Sequence, residues 1–118
     1  MFQKHDGSGY KPAIPGIEMK ALVYGEKTLM TKFLLKKGSA IPSHAHPHEQ
    51  TGYLVKGRLK FTIGAEEHDT REGDSWCIAG NVEHKVDVLE DAVVLEVFSP
   101  VREEYLPAER SDTQKAFQ

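Results

Sequence analysis

A single cysteine, Cys77, occurs among the 118 residues, so no disulfide forms within the chain and a disulfide-stapled scaffold is excluded. Long apolar runs are missing too. No stretch approaches the roughly 18 apolar residues of a membrane helix, and the opening MFQKHDGSGY lacks the apolar segment of a secretory leader. These absences predict a cytoplasmic protein with no membrane partner. No basic run is present either: 15 Lys and Arg stand against 18 Asp and Glu, a formal net charge of -3, which argues against a nucleic-acid partner. Finally, no extended 3.6-residue period marks a helix. Cys77 itself lies in the apolar run Trp76-Cys77-Ile78, which predicts a packed thiol rather than a reactive one.

What remains suits one hydrophobic core. With 39% of residues apolar before its 10 glycines are added, the chain has the composition of a folded globular domain. From Lys20 to Phe98, short runs rich in Val, Leu, Ile, Phe and Thr are cut by Gly, Asp, Asn or Pro. The pattern predicts strands at roughly 20–24, 29–36, 50–56, 58–63, 66–70, 75–78, 84–89 and 92–98. Turns are expected at Gly25-Glu26, Lys56-Gly57, Gly64-Ala65, Gly73-Asp74 and Glu90-Asp91. Many short strands with tight turns imply an all-β, antiparallel double-sheet barrel. It would form one domain over 1–118, with its core at about 20–106, an N-terminal arm at 1–17 and a polar tail at 107–118.

Alternation assigns the faces. Leu59, Phe61 and Ile63 share one parity and point inward, while Arg58, Lys60 and Thr62 point out. By the same rule His84 joins Val86 and Val88 inside, opposite Lys85 and Asp87. The run Ala92–Phe98 is apolar on both parities, so one side faces the barrel and the other a second sheet or a second copy of the chain, which predicts a homodimer. Within it Glu96 is an inward carboxyl that must be paired, protonated or near a metal.

His44 and His46 lie at i and i+2, so an extended segment turns both imidazoles to one face; Gln50 follows at a strand start and His84 arrives from a distant strand. Together they are candidate ligands for one divalent ion, with Zn, Ni, Fe, Mn and Cu all compatible with imidazole and amide oxygen. His48 follows Pro47 and reads as a rim residue, while His5 and His68 read as surface residues. Arg102, just past the last strand, would lie near the barrel mouth, where it could grip a substrate carboxylate or simply pair with Glu96.

These residues resemble the cupin superfamily. Gly38, His44, His46, Gln50 and Gly57 match the spacing of the first cupin motif, with Gln where Glu is usual. Gly73, Ala79, Asn81, His84 and Val88 follow the second motif, with Ala for Pro, Asn for Gly and Val for Asn. The resemblance implies a jelly-roll barrel whose metal is held by His44, His46, Gln50 and His84. A glutamine ligand brings no negative charge, so the site keeps its full dication and attracts an acidic ligand. The stretches 49–54, 61–64 and 98–106 are similar to small pectin-degradation cupins, which convert unsaturated uronates into linear keto acids. That similarity implies Glu96 and Arg102 as catalytic residues, Phe98 and Arg102 as substrate-binding residues, and a small acidic sugar as substrate; Glu96 stands where the family has Asp. A metal-dependent dioxygenase and a non-enzymatic ligand-binding cupin remain as alternatives.

Overall fold

Two long strands organise the molecule. In a computed structural model that describes residues 1–107, eight strands form in chain order: β1 (Lys11–Ile14), β2 (Ile17–Tyr24), β3 (Leu29–Leu35), β4 (Ala40–His44), β5 (Glu49–Ile63), β6 (Glu66–Arg71), β7 (Ser75–Ile78) and β8 (His84–Ser99). Strands β5 and β8 pair antiparallel along their whole length, from Glu49 opposite Ser99 to Ile63 opposite His84. The first half of β5 takes β7 on its other edge and the second half takes β6. The last half of β8 takes β3, followed by β2 and β1, while its first half takes β4. The two halves of the β5–β8 ribbon thus carry different neighbours within one eight-stranded sheet, and side chains from both halves line a common interior. This is the antiparallel jelly-roll barrel that the strand pattern predicts.

The bend in the ribbon corrects two expected turns. Lys56-Gly57 and Glu90-Asp91 do not reverse the chain; they lie opposite one another inside β5 and β8, where the ladder shifts register three times between Leu54 and Leu59. Gly57 adopts φ +99°, and a Cβ there would run into the Asp91 carbonyl oxygen and approach the Ala92 Cα to 2.7 Å. Only glycine fits so close a backbone crossing at that dihedral. The turn chemistry in the sequence is real, but it marks a bulge and a bend rather than a hairpin.

The core begins before residue 20. Ile17 and Met19 are buried at 1% and 2% exposure, and Lys11–Ile14 of the expected arm pair with β2 as an edge strand. Leu29, Leu54, Leu59, Ile78 and Phe98 complete the centre of the core. Strand β4, absent from the expected set, is Ala40-Ile41-Pro42-Ser43-His44, an edge strand with too little alternation to announce itself. Leu59 and Phe61 turn inward as expected, with Ile63 half-buried. Along β8 the residues Ala92, Val94, Glu96 and Phe98 are buried, whereas Val93, Leu95 and Val97 on the outer side are half-buried. Cys77 overturns its expectation: its neighbours Trp76 and Ile78 turn inward and the thiol is exposed. Among the described residues no helix is long and apolar enough to cross a membrane. Of the expected tail at 107–118, residues 108–118 lie outside the described residues.

Candidate metal centre

Bending the ribbon brings its two ends together. His84, the first residue of β8, stands directly opposite His44, the last residue of β4, with ring centroids 4.2 Å apart. The His46 ring lies 5.1 Å from that of His84 and 5.6 Å from that of His44. One ligating nitrogen from each histidine falls within 4.8 Å of the others. The loop 79–82 holds this arrangement: Asn81 donates its backbone N–H to the His46 carbonyl at 2.7 Å, and Gly80 passes under the Pro47 carbonyl, where a side chain would collide. Asn81 adopts φ +66°, the conformation a glycine would take most easily and which asparagine tolerates.

Hydrogen bonding decides which nitrogens are available. The Nδ1 atoms of His44, His46 and His84 each face a backbone carbonyl, of Pro42, His48 and Val82, at 3.0, 3.1 and 2.9 Å. A carbonyl only accepts, so Nδ1 carries the proton and Nε2 presents its lone pair. The Nε2 atoms of His46 and His84 are buried with no hydrogen-bond partner among the described residues. Gln50 is oriented in the same sense: its Nε2 donates to Glu96 Oε2 at 3.1 Å, leaving Oε1 buried and unpaired. Burial, reinforced for His46 by the charge of Arg102 and outweighing for His84 its bond to the Val82 carbonyl, holds both imidazoles below the usual histidine range, hence neutral and ready to ligate. Converging imidazole lone pairs and an amide oxygen, each otherwise costly to bury, fit a divalent cation.

Glu96 is 7% exposed and accepts hydrogen bonds from Gln50 and, at Oε1, from the Trp76 indole at 3.3 Å. Burial pushes its carboxyl up to about 8, more than these bonds and the charge of Arg102 pull it back. Its hydrogen-bond partners do not include Arg102, whose Nε donates to Glu104 instead. The Arg102 guanidinium lies 4.3 Å from the Tyr105 ring centroid and 5.3 Å from that of Phe98. Val101 and Leu106 are buried and anchor this segment, which follows a cis Ser99–Pro100 peptide. One cavity of about 70 Å³ is lined by His44, Gln50, His84, Glu96, Phe98 and Arg102, with Phe33, Phe61 and Val86 among its apolar walls. His46 closes the cluster from behind, its ring 6.0 Å from that of Phe98.

Of the other histidines, His48 is half-buried beside His46, and His5 and His68 are exposed. Sequence reasoning passed over Trp76, Glu104 and Tyr105. An interior glycine in a strand, Gly52, was the available signal for the first, since such a glycine often marks a close approach.

Residues 31–99, well over half of the chain, match the cupin domain family. The chain is a cupin. Its structure is similar to KdgF from Halomonas sp., with a TM-score of 0.85 and 26% identity over 90% of this chain and 100% of that one. An RmlC-like cupin from Shewanella frigidimarina NCIMB 400 superposes with a TM-score of 0.84 at 23% identity, covering 89% of this cupin and 95% of its own chain. A predicted oxalate decarboxylase from Thermotoga maritima reaches 0.65 at 19% identity, covering 72% and 81%. These last two likenesses speak for the fold alone. No curated protein sequence matches this cupin.

Proposed function

We propose that this cupin is a metal-dependent enzyme that acts on a small acidic sugar, opening and ketonising unsaturated uronates. The carrying observation is Glu96, a buried carboxyl in the same cavity as a guanidinium and a set of unpaired ligand atoms. Similarity to KdgF and the motif resemblance to pectin-degradation cupins support the substrate class.

Arg102 supplies charge for the substrate carboxylate. Its Nε is engaged by Glu104 and its plane rests against Tyr105, so the guanidinium is held rather than free to swing. Phe98, at 2% exposure, forms an apolar wall beside it. Glu96, whose burial favours the protonated carboxyl, lines the cavity and can pass a proton to carbon as the enol becomes a ketone. The conversion is redox-neutral: a hydroxyl proton leaves as the ring opens, and a proton is added to the former alkene carbon. A divalent ion on His44, His46, Gln50 and His84 would supply Lewis-acid polarisation of a bound oxygen, undiminished by any carboxylate ligand.

Incubation with unsaturated galacturonate tests the reading. Loss of the ring alkene absorbance should outpace the protein-free rate; equal rates would rule the substrate out, and oxygen uptake with a substrate would indicate a dioxygenase instead. The outer face on which Met30 stands opposite Val97 and Tyr53 opposite Leu95, with Thr51 and Lys32 completing the two rows across β3, β8 and β5, is the face we assign to a second copy of the chain. A monomeric mass in solution would remove that assignment.

A further inference from the structure

Three adjacent strands place Trp76, Gly52 and Glu96 in one row: Gly52 stands opposite Trp76 on one side and opposite Glu96 on the other. Because Gly52 has no side chain, the Trp76 indole lies across β5 where a Cβ would collide with its Cε2 and Nε1 atoms. The indole thereby reaches past one strand to hydrogen-bond Glu96 Oε1 at 3.3 Å. Its ring packs against Phe61, centroids 4.9 Å apart, which limits its freedom to withdraw. With Gln50 on Oε2 and Trp76 on Oε1, both carboxyl oxygens are tied. On the far side of β8, Thr31 Oγ1 donates to the Glu96 backbone carbonyl at 2.9 Å.

We propose that Trp76, seated in the gap that Gly52 leaves, is a positioning residue that fixes the Glu96 carboxyl against Gln50 and the reaction cavity. Only Glu96 is reached from the cavity side; Trp76 acts through it and does not line the cavity. The N–H is the feature that matters. Indole is a donor with no acceptor capacity, so it can meet Glu96 in one sense only and leaves the carboxyl a single oxygen to turn toward Gln50. Tryptophan at 76 and glycine at 52 are then one device, since any larger residue at 52 removes the space through which the indole passes.

The kinetic part of this inference rests on the uronate reading; the spectroscopic part does not. Trp76 is the only tryptophan, so its indole N–H gives a single resonance in a nitrogen–proton correlation spectrum of the full chain. Glu96→Gln offers one acceptor oxygen to two donors, Gln50 and Trp76, and the indole resonance should shift clearly. An unmoved resonance would overturn the proposal whatever the substrate. Trp76→Phe keeps the ring on Phe61 and deletes only the donor. Its kcat on unsaturated galacturonate should fall about tenfold, with KM and metal content unchanged. In a Glu96→Gln background the same substitution should add nothing, because the group it positions is already gone. Gly52→Ala should reproduce the loss if it folds, and Trp76→Phe carries the test if it does not. A kcat within about twofold of the parent, or an equal further loss in the Glu96→Gln background, would overturn the positioning role. A shifted resonance in a protein with no uronate turnover would support the Trp76–Glu96 contact and sink the substrate reading alone.

Discussion

Polar groups gather in two regions of this cupin, and the two differ in one respect. On the outer side of β5 and β6, Arg58 donates twice to Asp69 at 2.9 and 3.2 Å, Arg71 adds a bond at 3.1 Å, and Lys60 lies 3.3 Å from Glu67. At the barrel mouth Glu96 also accepts two bonds, but from neutral donors and out of water. The hydrogen bonds from Arg58 hold Asp69 below the usual carboxylate range, whereas burial lifts Glu96 to about 8. Outside, charge answers charge. Inside, His46 Nε2, His84 Nε2 and Gln50 Oε1 have no hydrogen-bond partner among the described residues. An unmet buried polar atom costs about 1–3 kcal/mol, so converging ones are expensive to retain for shape alone. Self-satisfied polar clusters trim a scaffold; unsatisfied ones outline what a ligand must offer.

The sharpest way to break that contrast is to remove an inner ligand. Elemental analysis of the parent, purified without chelator, should show near-stoichiometric metal, and His84→Ala purified beside it should lose that metal. Equal metal in both, or none in the parent after adding Zn, Ni, Mn or Fe(II), would reduce the inner histidines to packing.

The bend that joins the regions comes next. Gly57→Ala forces a Cβ into the β8 backbone at a positive φ and should destabilise the fold by about 2–4 kcal/mol in urea unfolding. A midpoint near that of the parent would mean the ribbon bends without it.

The third prediction sets the two carboxyls against each other in metal-free protein. Glu96 binds its proton more tightly folded than unfolded, with values of about 8 and 4.5. Its contribution to stability is therefore complete below pH 4.5 and lost as pH rises through about 8. The parent should lose stability relative to Glu96→Gln across that window, with a slope of at most about 1.4 kcal/mol per pH unit. Parallel melting profiles for the two would contradict the burial account. Asp69 has the opposite sign, with stability present above its unfolded value and lost as acid protonates it. Being fully exposed, it should register least: Asp69→Asn should barely move the melting temperature at neutral pH.

Much of this architecture was legible because alternation carries it. Leu59 and Phe61, and His84 with Val86 and Val88, declared their faces by parity. The histidines and Gln50 were legible by spacing, and the cavity unites Gln50, His44 and His84 with Glu96, Phe98 and Arg102. What stayed hidden was long-range. Strand β4 exists because Asp87, Val86 and His84 pair with it, and its own residues say little. The crossing at Gly57 looks like a turn until Asp91 and Ala92 are seen beneath it. The sequence leaves Arg102 open as a partner of Glu96 or of a substrate carboxylate; in the structure Glu104 captures that guanidinium and Trp76 reaches Glu96 from another strand. Cys77 misled because a run of three apolar residues hides the alternation that turns the middle one outward.

The bent ribbon also imposes an order of events. His44, His46 and Gln50 lie within seven residues, but His84 comes from a distant strand and Glu96 is 46 residues from Gln50 and 65 from Thr31, so no local segment contains the whole centre. Loop-closure entropy has to be overcome for the whole barrel before the ligands meet. A metal held at this centre would be captured late in folding, and its uptake by a refolding chain would clock the closing of the barrel.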